Sequence, residues 1–272
     1  MLIDSVIIVL REMIAAAFLV SVLLALAHFL RIPAPGLRSA AVFGAGGALA
    51  FDVVVRLVFD RFGGFGYELA NVGVQLATWF AILAVLALFM RAPRPPRAAL
   101  RRLMAAAMVL AIAREGGEIL LYFGSLSDRG DSLSDALTGA VIGTGVGFSA
   151  GTLFYYLQLT QRPAAALTTG ATLLALIGSG ICAQATLLLV QADLLPAQTA
   201  LWDSSGWLPE SSPLGQLLYA LVGYEATPSP LMAGVWLASS LLALVLALAS
   251  RRLGTLSIPD AGGPLPGPRA RS

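Results

Sequence analysis

Two pairs of adjacent arginine and glutamate residues lie inside long apolar stretches of this sequence. Arg11 and Glu12 occupy the first stretch, and a later one contains the run Arg114-Glu115-Gly116-Gly117-Glu118. A charged side chain at the centre of a bilayer costs roughly 2.5 to 3.5 kcal/mol on insertion scales, so it rarely occurs without a partner or a function. These charged residues are therefore the first candidates for chemistry.

The later run brings two carboxylates and a guanidinium to one patch of a helix. Residues three and four apart share a helix face, so Glu115 lies beside Glu118, and Arg114 lies one turn from Glu118. In a low-dielectric setting such carboxylates must be neutralised by arginine, by protons or by a cation. Carboxylate oxygens suit hard ions, whereas the single histidine, His28, and the single cysteine, Cys182, cannot form soft-metal clusters.

Other residues could complete this patch. Glu12 supplies a third carboxylate and Asp52 is a possible extra one, although Asp52 could equally pair with Arg56 four residues later. The remaining candidates are the charge-balancing Arg11 and Arg114 and the packing residues Gly116 and Gly117, which allow another helix or a hydrated ion to approach. The alternative is that the charges are buried ion pairs that only orient the helices.

The composition places the chain among membrane proteins. Apolar residues make up 58% of the 272 residues and charged residues only 12%, about half of what a soluble domain carries. A hydrocarbon core about 30 Å thick needs around 20 mostly apolar helical residues. Seven stretches qualify, near residues 4 to 30, 40 to 59, 69 to 90, 103 to 124, 135 to 157, 166 to 190 and 230 to 250.

Arginine placement predicts the orientation of these spans. With the N-terminus outside, twelve arginines fall on the inner side and only Arg61 and Arg129 on the outer side, as the positive-inside rule requires. The sequence thus predicts an all-α, multi-pass protein with seven transmembrane helices, N-out and C-in. The outer side is acidic, which would attract cations, but the same rule by itself leaves acidic outer loops.

The first six spans suggest two copies of a three-helix unit. Arg11-Glu12 and Arg114-Glu115 occupy similar positions in spans one and four, and spans two and five are both rich in glycine. An odd number of spans makes the copies inverted, a common transporter design with its site where the repeats meet. We therefore predict a permease domain over 1–250, with repeats at 1–90 and 103–190, an outer loop at 191–229, a last helix at 230–250, and a disordered cytoplasmic tail at 251–272.

At these residues the chain resembles the oxidase-dependent iron permeases of fungi and the related bacterial iron-uptake permeases. The family's Arg-Glu-Gly-x-Glu motif is complete at Arg114, Glu115, Gly116 and Glu118. The segment Leu201 to Pro230 is similar to the family's outer segment, with its Trp-Asp, Gly-x-Leu-Leu and Gly-Tyr elements. In the first span, however, Met13 and Ala15 stand where the family pattern has glycine and glutamate.

The resemblance implies an iron-ion permease of the cytoplasmic membrane, with Glu115, Glu118 and Glu12 as metal ligands. It also implies that iron is the substrate and that an extracytoplasmic iron-binding or oxidase protein is a partner. Because the carboxylate expected at Ala15 is missing, the alternatives are a proton-coupled carrier of another cation and a non-transporting membrane subunit.

We expect contact with membrane lipid, no nucleic acid, no bound organic cofactor and no enzyme activity. The chain contains no HExxH zinc motif, because it has only one histidine.

Overall fold

The fold is an assembly of long helices. A computed structural model describes residues 2–33, 35–59, 65–90, 96–129 and 133–256, and every regular element within these ranges is a helix. The helices are α1 (Leu2–Phe29), α2 (Pro35–Phe59), α3 (Gly66–Phe89), α4 (Arg97–Arg129), α5 (Leu133–Leu159), α6 (Pro163–Gln191), α7 (Pro213–Val222) and α8 (Pro230–Leu256).

Each of the seven predicted segments coincides with one of the long helices. Five of them, α1, α3, α5, α6 and the Pro230–Ser250 part of α8, are long and apolar enough to cross a membrane. The apolar part of α2, Ser39–Val55, is shorter, and α4 carries the charges of the Arg114 to Glu118 run. Within the described residues, the structure therefore supports a multi-pass membrane protein with five such helices.

Two boundaries differ from the sequence-based prediction. Helix α8 continues to Leu256, into the predicted tail, whose remaining residues lie outside the described ranges. The predicted outer loop contains the ten-residue helix α7. Ser212 caps this helix by accepting a hydrogen bond from the Gly215 amide at 3.0 Å, and Gly223, with a φ of 69°, ends it in the left-handed conformation.

Helices α1, α3, α4 and α6 form the centre of the bundle. Their largest buried cluster lies at one end, where Leu23, Leu86, Met104 and Leu174 are almost fully excluded from solvent. Helices α5 and α8 lie outside this centre, as their low burial shows. Only about a fifth of the apolar stretch of each helix is buried. Their exposed leucine and valine side chains suit contact with acyl chains.

Glycines set the distance between α5 and α1. A Cβ atom added at Gly143 would lie 2.9 Å from the Val6 carbonyl oxygen and 3.0 Å from the Leu10 amide nitrogen. The other glycines of this stripe, Gly139, Gly147 and Gly151, also face α1. Because the stripe has no side chains, the two backbones approach closely, as in small-residue interfaces of membrane helices.

Helices α2 and α4 meet in the corresponding way. A Cβ atom at Gly47 would lie 2.8 Å from the Ala113 side chain, and one at Gly116 would lie 2.9 Å from that of Ala48. A Cβ atom at Gly117 would overlap the ring of Phe51. In both pairs, a glycine-rich helix packs along a helix that carries an Arg-Glu pair.

We predict that Gly143→Val destabilises the fold. The new side chain would meet the α1 backbone, and overpacking of this kind costs about 1 to 3 kcal/mol. The matched control is Gly145→Val, because nothing lies within 4 Å of a Cβ atom at that position. Thermal unfolding of both variants in detergent micelles measures the effect. Equal midpoints for the two would contradict the close α1–α5 contact.

Candidate metal centre

Three glutamates from two helices converge inside the bundle. One carboxylate oxygen from each of Glu12, Glu115 and Glu118 lies within 4.8 Å of the other two. Glu12 and Glu115 are 3% and 6% exposed, so water screens their charges poorly. The cluster offers only oxygen ligands, which suits a hard cation.

Arg114 holds two of these carboxylates in place. Its guanidinium is 2.7 Å from Glu115 Oε1 through Nη1 and 3.0 Å from Glu118 Oε1 through Nη2. Its Nε donates to Asn71 Oδ1 at 2.8 Å, and the Asn71 amide nitrogen donates to Glu118 Oε1 at 2.7 Å. Arginine, asparagine and glutamate thus form a closed ring of hydrogen bonds across α3 and α4.

Arg11 balances the third carboxylate. Its Nε and Nη2 contact Glu12 Oε1 at 2.8 and 2.7 Å. Its guanidinium carbon also lies 5.6 Å from the centre of the Tyr219 ring, within reach of a cation–π contact. The Arg11 side chain is 46% exposed whereas that of Glu12 is 4% exposed, so Arg11 stands between the buried cluster and solvent.

The other sequence-predicted residues lie outside the cluster. Within the described residues, Asp52, the possible extra carboxylate, is not among the acidic groups that converge. The side chain of its predicted partner Arg56 lies outside the described part of the chain. Gly116 and Gly117 face α2 rather than a ligand. Ala15 lines a small cavity beside Glu115.

Two cavities near the cluster share a lining residue. The larger, of about 480 Å³, is lined by Ile7 and Arg11 near the start of α1 and by residues of the α6–α8 connection such as Glu210 and Gln216. The smaller, of about 30 Å³, lies farther along α1, at Ala15 and Leu19. Tyr219 lines both cavities.

Several polar residues of this site were missed by the sequence analysis. Asn71 and Gln75 are each 1% exposed and reach the site from α3, and Tyr219 reaches it from α7. The four-residue spacing of Asn71 and Gln75 in an apolar helix is a signal that could have found them, because it places two polar groups on one face. Tyr219 carries no comparable signal.

The α6–α8 connection is fixed over the larger cavity by specific hydrogen bonds. The Ala226 amide donates to Glu210 Oε1 at 2.7 Å, and the Tyr224 hydroxyl donates to the Leu208 carbonyl oxygen at 2.9 Å. Burial and the neighbouring Glu210 carboxyl raise the pKa of Glu225 to about 7. The connection therefore carries a carboxyl that titrates near neutral pH.

One sequence run matches a hydrolase motif by its letters alone. The residues Gly147-Phe148-Ser149-Ala150-Gly151 read G-x-S-x-G, but they lie in the middle of α5 rather than at a strand-to-helix turn. The Ser149 hydroxyl is exposed and donates to the Gly145 carbonyl oxygen of its own helix at 2.7 Å. This run is part of the glycine interface with α1.

We predict that Asn71→Ala lowers stability by about 1 to 3 kcal/mol, because it leaves a buried guanidinium N–H of Arg114 without its acceptor. Thermal unfolding in detergent micelles measures the change. The control is Thr186→Ala, which removes a buried hydroxyl whose bond goes to the Cys182 carbonyl of its own helix. The same midpoint shift in both variants would contradict a special role for Asn71.

We predict that Glu225 makes stability decrease as the pH rises. Its pKa in the folded protein, about 7, is above its ordinary value of 4.5, so the folded state binds a proton that the unfolded state has released. This contribution is fully present below pH 4.5 and is lost as the pH rises through 7. Glu225→Gln removes it, so the unfolding midpoints of wild type and variant, measured from pH 5 to 8, should diverge. Parallel profiles would contradict the raised pKa.

Comparisons of the chain with protein-family models, with curated proteins and with solved structures found no match. The candidate site therefore rests on its own geometry. That geometry consists of three carboxylates, two guanidinium groups and a buried asparagine at the centre of an apolar bundle.

Proposed function

We propose that the chain is an iron-ion permease that moves Fe(II) or Fe(III) across the cytoplasmic membrane. The observation that carries this proposal is the convergence of Glu12, Glu115 and Glu118 within 4.8 Å of one another inside the bundle. Like charges held so close need a counter-ion, and the two arginines balance only two of the three. A cation is the species that such a cluster binds best.

The helix packing supports an inverted repeat of α1–α3 and α4–α6. In such a repeat, α1 corresponds to α4 and α5 corresponds to α2. The α1–α5 contact therefore corresponds to the α4–α2 contact, and both are glycine-lined interfaces along a helix with an Arg-Glu pair. On this proposal α2 and α4 also cross the membrane, giving seven spans with the N-terminus outside. The Arg-Glu pairs of α1 and α4 would then lie where the repeats meet, as in other inverted-repeat transporters.

The two sides of the cluster differ in access. The large cavity reaches Arg11 from the side of the α6–α8 connection, whereas the apolar cluster around Leu23, Leu86 and Met104 closes the other end of the bundle. In the proposed orientation the molecule is open to the outside and closed to the cytoplasm. Transport would then require one repeat to move against the other around the carboxylates.

The resemblance to iron permeases adds a direction and a partner to this proposal. An extracytoplasmic iron-binding or oxidase protein would deliver the ion at the α6–α8 connection, near Asp203 and Glu210. Glu210 lines the cavity that leads to Arg11, so an ion released there would enter beside the cluster.

One observation favours two alternative functions. Ala15 faces the small cavity where the family pattern has a glutamate, so the cluster has three carboxylates rather than four. A site with fewer ligands suits a non-transporting membrane subunit or a proton-coupled carrier of another cation. A non-transporting subunit predicts that the detergent-solubilised protein does not bind the metal. A proton-coupled carrier of another cation predicts proton flux into proteoliposomes in the absence of iron.

We predict that Glu118→Gln lowers iron uptake into proteoliposomes by at least about tenfold, the scale on which metal sites respond to the loss of a supporting group. The variant keeps the size of the side chain but removes one charge from the cluster. Uptake of radioactive iron at matched protein density is the measurement. The control is Asp135→Asn, which removes an exposed carboxylate in the first turn of α5.

The outcomes of this experiment are distinct. Loss of uptake in Glu118→Gln but not in Asp135→Asn supports the proposal. Equal uptake by Glu118→Gln and wild type would remove the cluster from the transport pathway. If wild type takes up no iron at any concentration but carries protons, the proton-coupled carrier of another cation would be favoured.

A further inference from the structure

The small cavity beside the carboxylates contains polar groups that have no partner. Gln75 is 1% exposed, and neither its side-chain oxygen nor its nitrogen forms a hydrogen bond. Glu115 Oε2, which belongs to a residue lining the same cavity, is also buried without a hydrogen bond. A buried amide that is left unpaired costs about 1 to 3 kcal/mol, so groups of this kind are usually paired by a bound water or by an ion.

The size and lining of the cavity show what such a ligand could be. A volume of about 30 Å³ holds roughly two water-sized groups, so it fits a small ion with one water and excludes an organic molecule. The polar lining includes Gln75, Gln184 and Thr78, together with Glu115 and its ion-pair partner Arg114. The Thr78 hydroxyl donates to the Val74 carbonyl oxygen and keeps its own lone pairs for a ligand.

We propose that this cavity is a second station for a hard divalent cation, next to the glutamate cluster and farther along α1, at Ala15 and Leu19. The ion is held there by the Glu115 Oε2 atom and by the neutral oxygens of Gln75, Gln184 and Thr78, and its water accepts from the Gln75 amide nitrogen. This inference rests on the proposed function, because an ion would reach the station through the cluster.

Charge explains why a divalent ion is favoured over a trivalent ion at this station. Glu115 shares its negative charge with Arg114 at 2.7 Å, so the cavity supplies little net negative charge. Neutral amide and hydroxyl oxygens can replace the water shell of a divalent ion, but they compensate a trivalent ion poorly in a low dielectric. The cluster provides charge and the cavity provides neutral ligands, so the two stations act in sequence.

The decisive variant is Gln75→Leu, which keeps the side-chain size but removes the oxygen ligand. In proteoliposomes we expect Fe²⁺ uptake under reducing conditions to fall by about tenfold or more. Binding of Fe²⁺ to the detergent-solubilised protein should stay within about threefold of wild type, because the glutamate cluster is intact. The thermal unfolding midpoint should not fall, since an unpaired buried amide is replaced by an apolar group.

Three further variants make the test specific. Gln158→Leu removes another buried glutamine, whose amide donates to the Phe154 carbonyl of its own helix, and should leave uptake unchanged. Gln184→Leu removes a ligand from the α6 side of the cavity and should reproduce the loss of uptake. Gln75→Asn keeps a neutral amide oxygen on a shorter side chain and should retain more uptake than Gln75→Leu.

The outcomes separate this inference from the proposed function. If Gln75→Leu and Gln184→Leu take up Fe²⁺ like wild type, the cavity holds only water or nothing, and the station is rejected while the permease stands. If Gln75→Leu loses binding as well as uptake, Gln75 supports the cluster instead, and the station is again rejected. If wild type neither binds nor takes up Fe²⁺, the proposed function fails, and the second station fails with it.

Discussion

The ion pairing of Arg114 is the interaction on which the rest of this structure depends. Two carboxylates 4.8 Å apart repel each other by at least about 3 kcal/mol at an effective dielectric constant of about 20, and this cluster contains three such pairs. Arg114 contacts two of the carboxylates at 2.7 and 3.0 Å, and Arg11 contacts the third. Breaking a buried pair by removing one partner costs about 3 to 5 kcal/mol, so the position of Arg114 is strongly constrained. Asn71 fixes that position from a neighbouring helix.

Close helix packing is the second requirement, because the charged side chains must meet over short distances. The glycines of α5 bring its backbone against α1, and the contacts of Gly47, Gly116 and Gly117 bring α2 against α4. Each glycine interface lies along a helix that also carries an Arg-Glu pair, so packing and charge are set by the same two helices. Backbone contact of this kind leaves little freedom to slide, which keeps the carboxylates in register.

The sequence predicts the helices and the charged residues of this site well, because both follow from local properties. The length of each apolar stretch gives α1 to α6 and α8, and the spacing of Arg114, Glu115 and Glu118 places them on one helix face. Asn71 and Gln75 are harder to predict, since a polar residue in an apolar helix gains its role from the helix opposite it. Their place in the site depends on how α3 packs against α4, which no local pattern gives.

Helix α7 and Asp52 show the same limit of sequence-based prediction, one as a missed element and one as a candidate ligand outside the cluster. A ten-residue helix is too short to stand out among the spans, although Ser212-Pro213 and Gly223 are ordinary start and stop signals for it. These signals could have revealed the helix, but not the contact of Tyr219 with Arg11. Asp52 has the residue type of a ligand, yet it lies outside the converging carboxylates, because the Phe51 side of α2 meets α4.

In the proposed permease, the two sides of the glutamate cluster differ in charge in a way that would affect ion release. Glu118 and Ala15 occupy corresponding positions of the two Arg-Glu motifs, so the side of Glu118 has a carboxylate and the side of Ala15 has the cavity with Gln75 and Gln184. An ion that moves from the first side to the second keeps Glu115, exchanges the other carboxylates for neutral ligands and is held less tightly. Transport requires binding that is strong enough for entry and weak enough for exit. The missing fourth carboxylate would therefore assist release toward the cytoplasm, in the proposed orientation, rather than abolish transport.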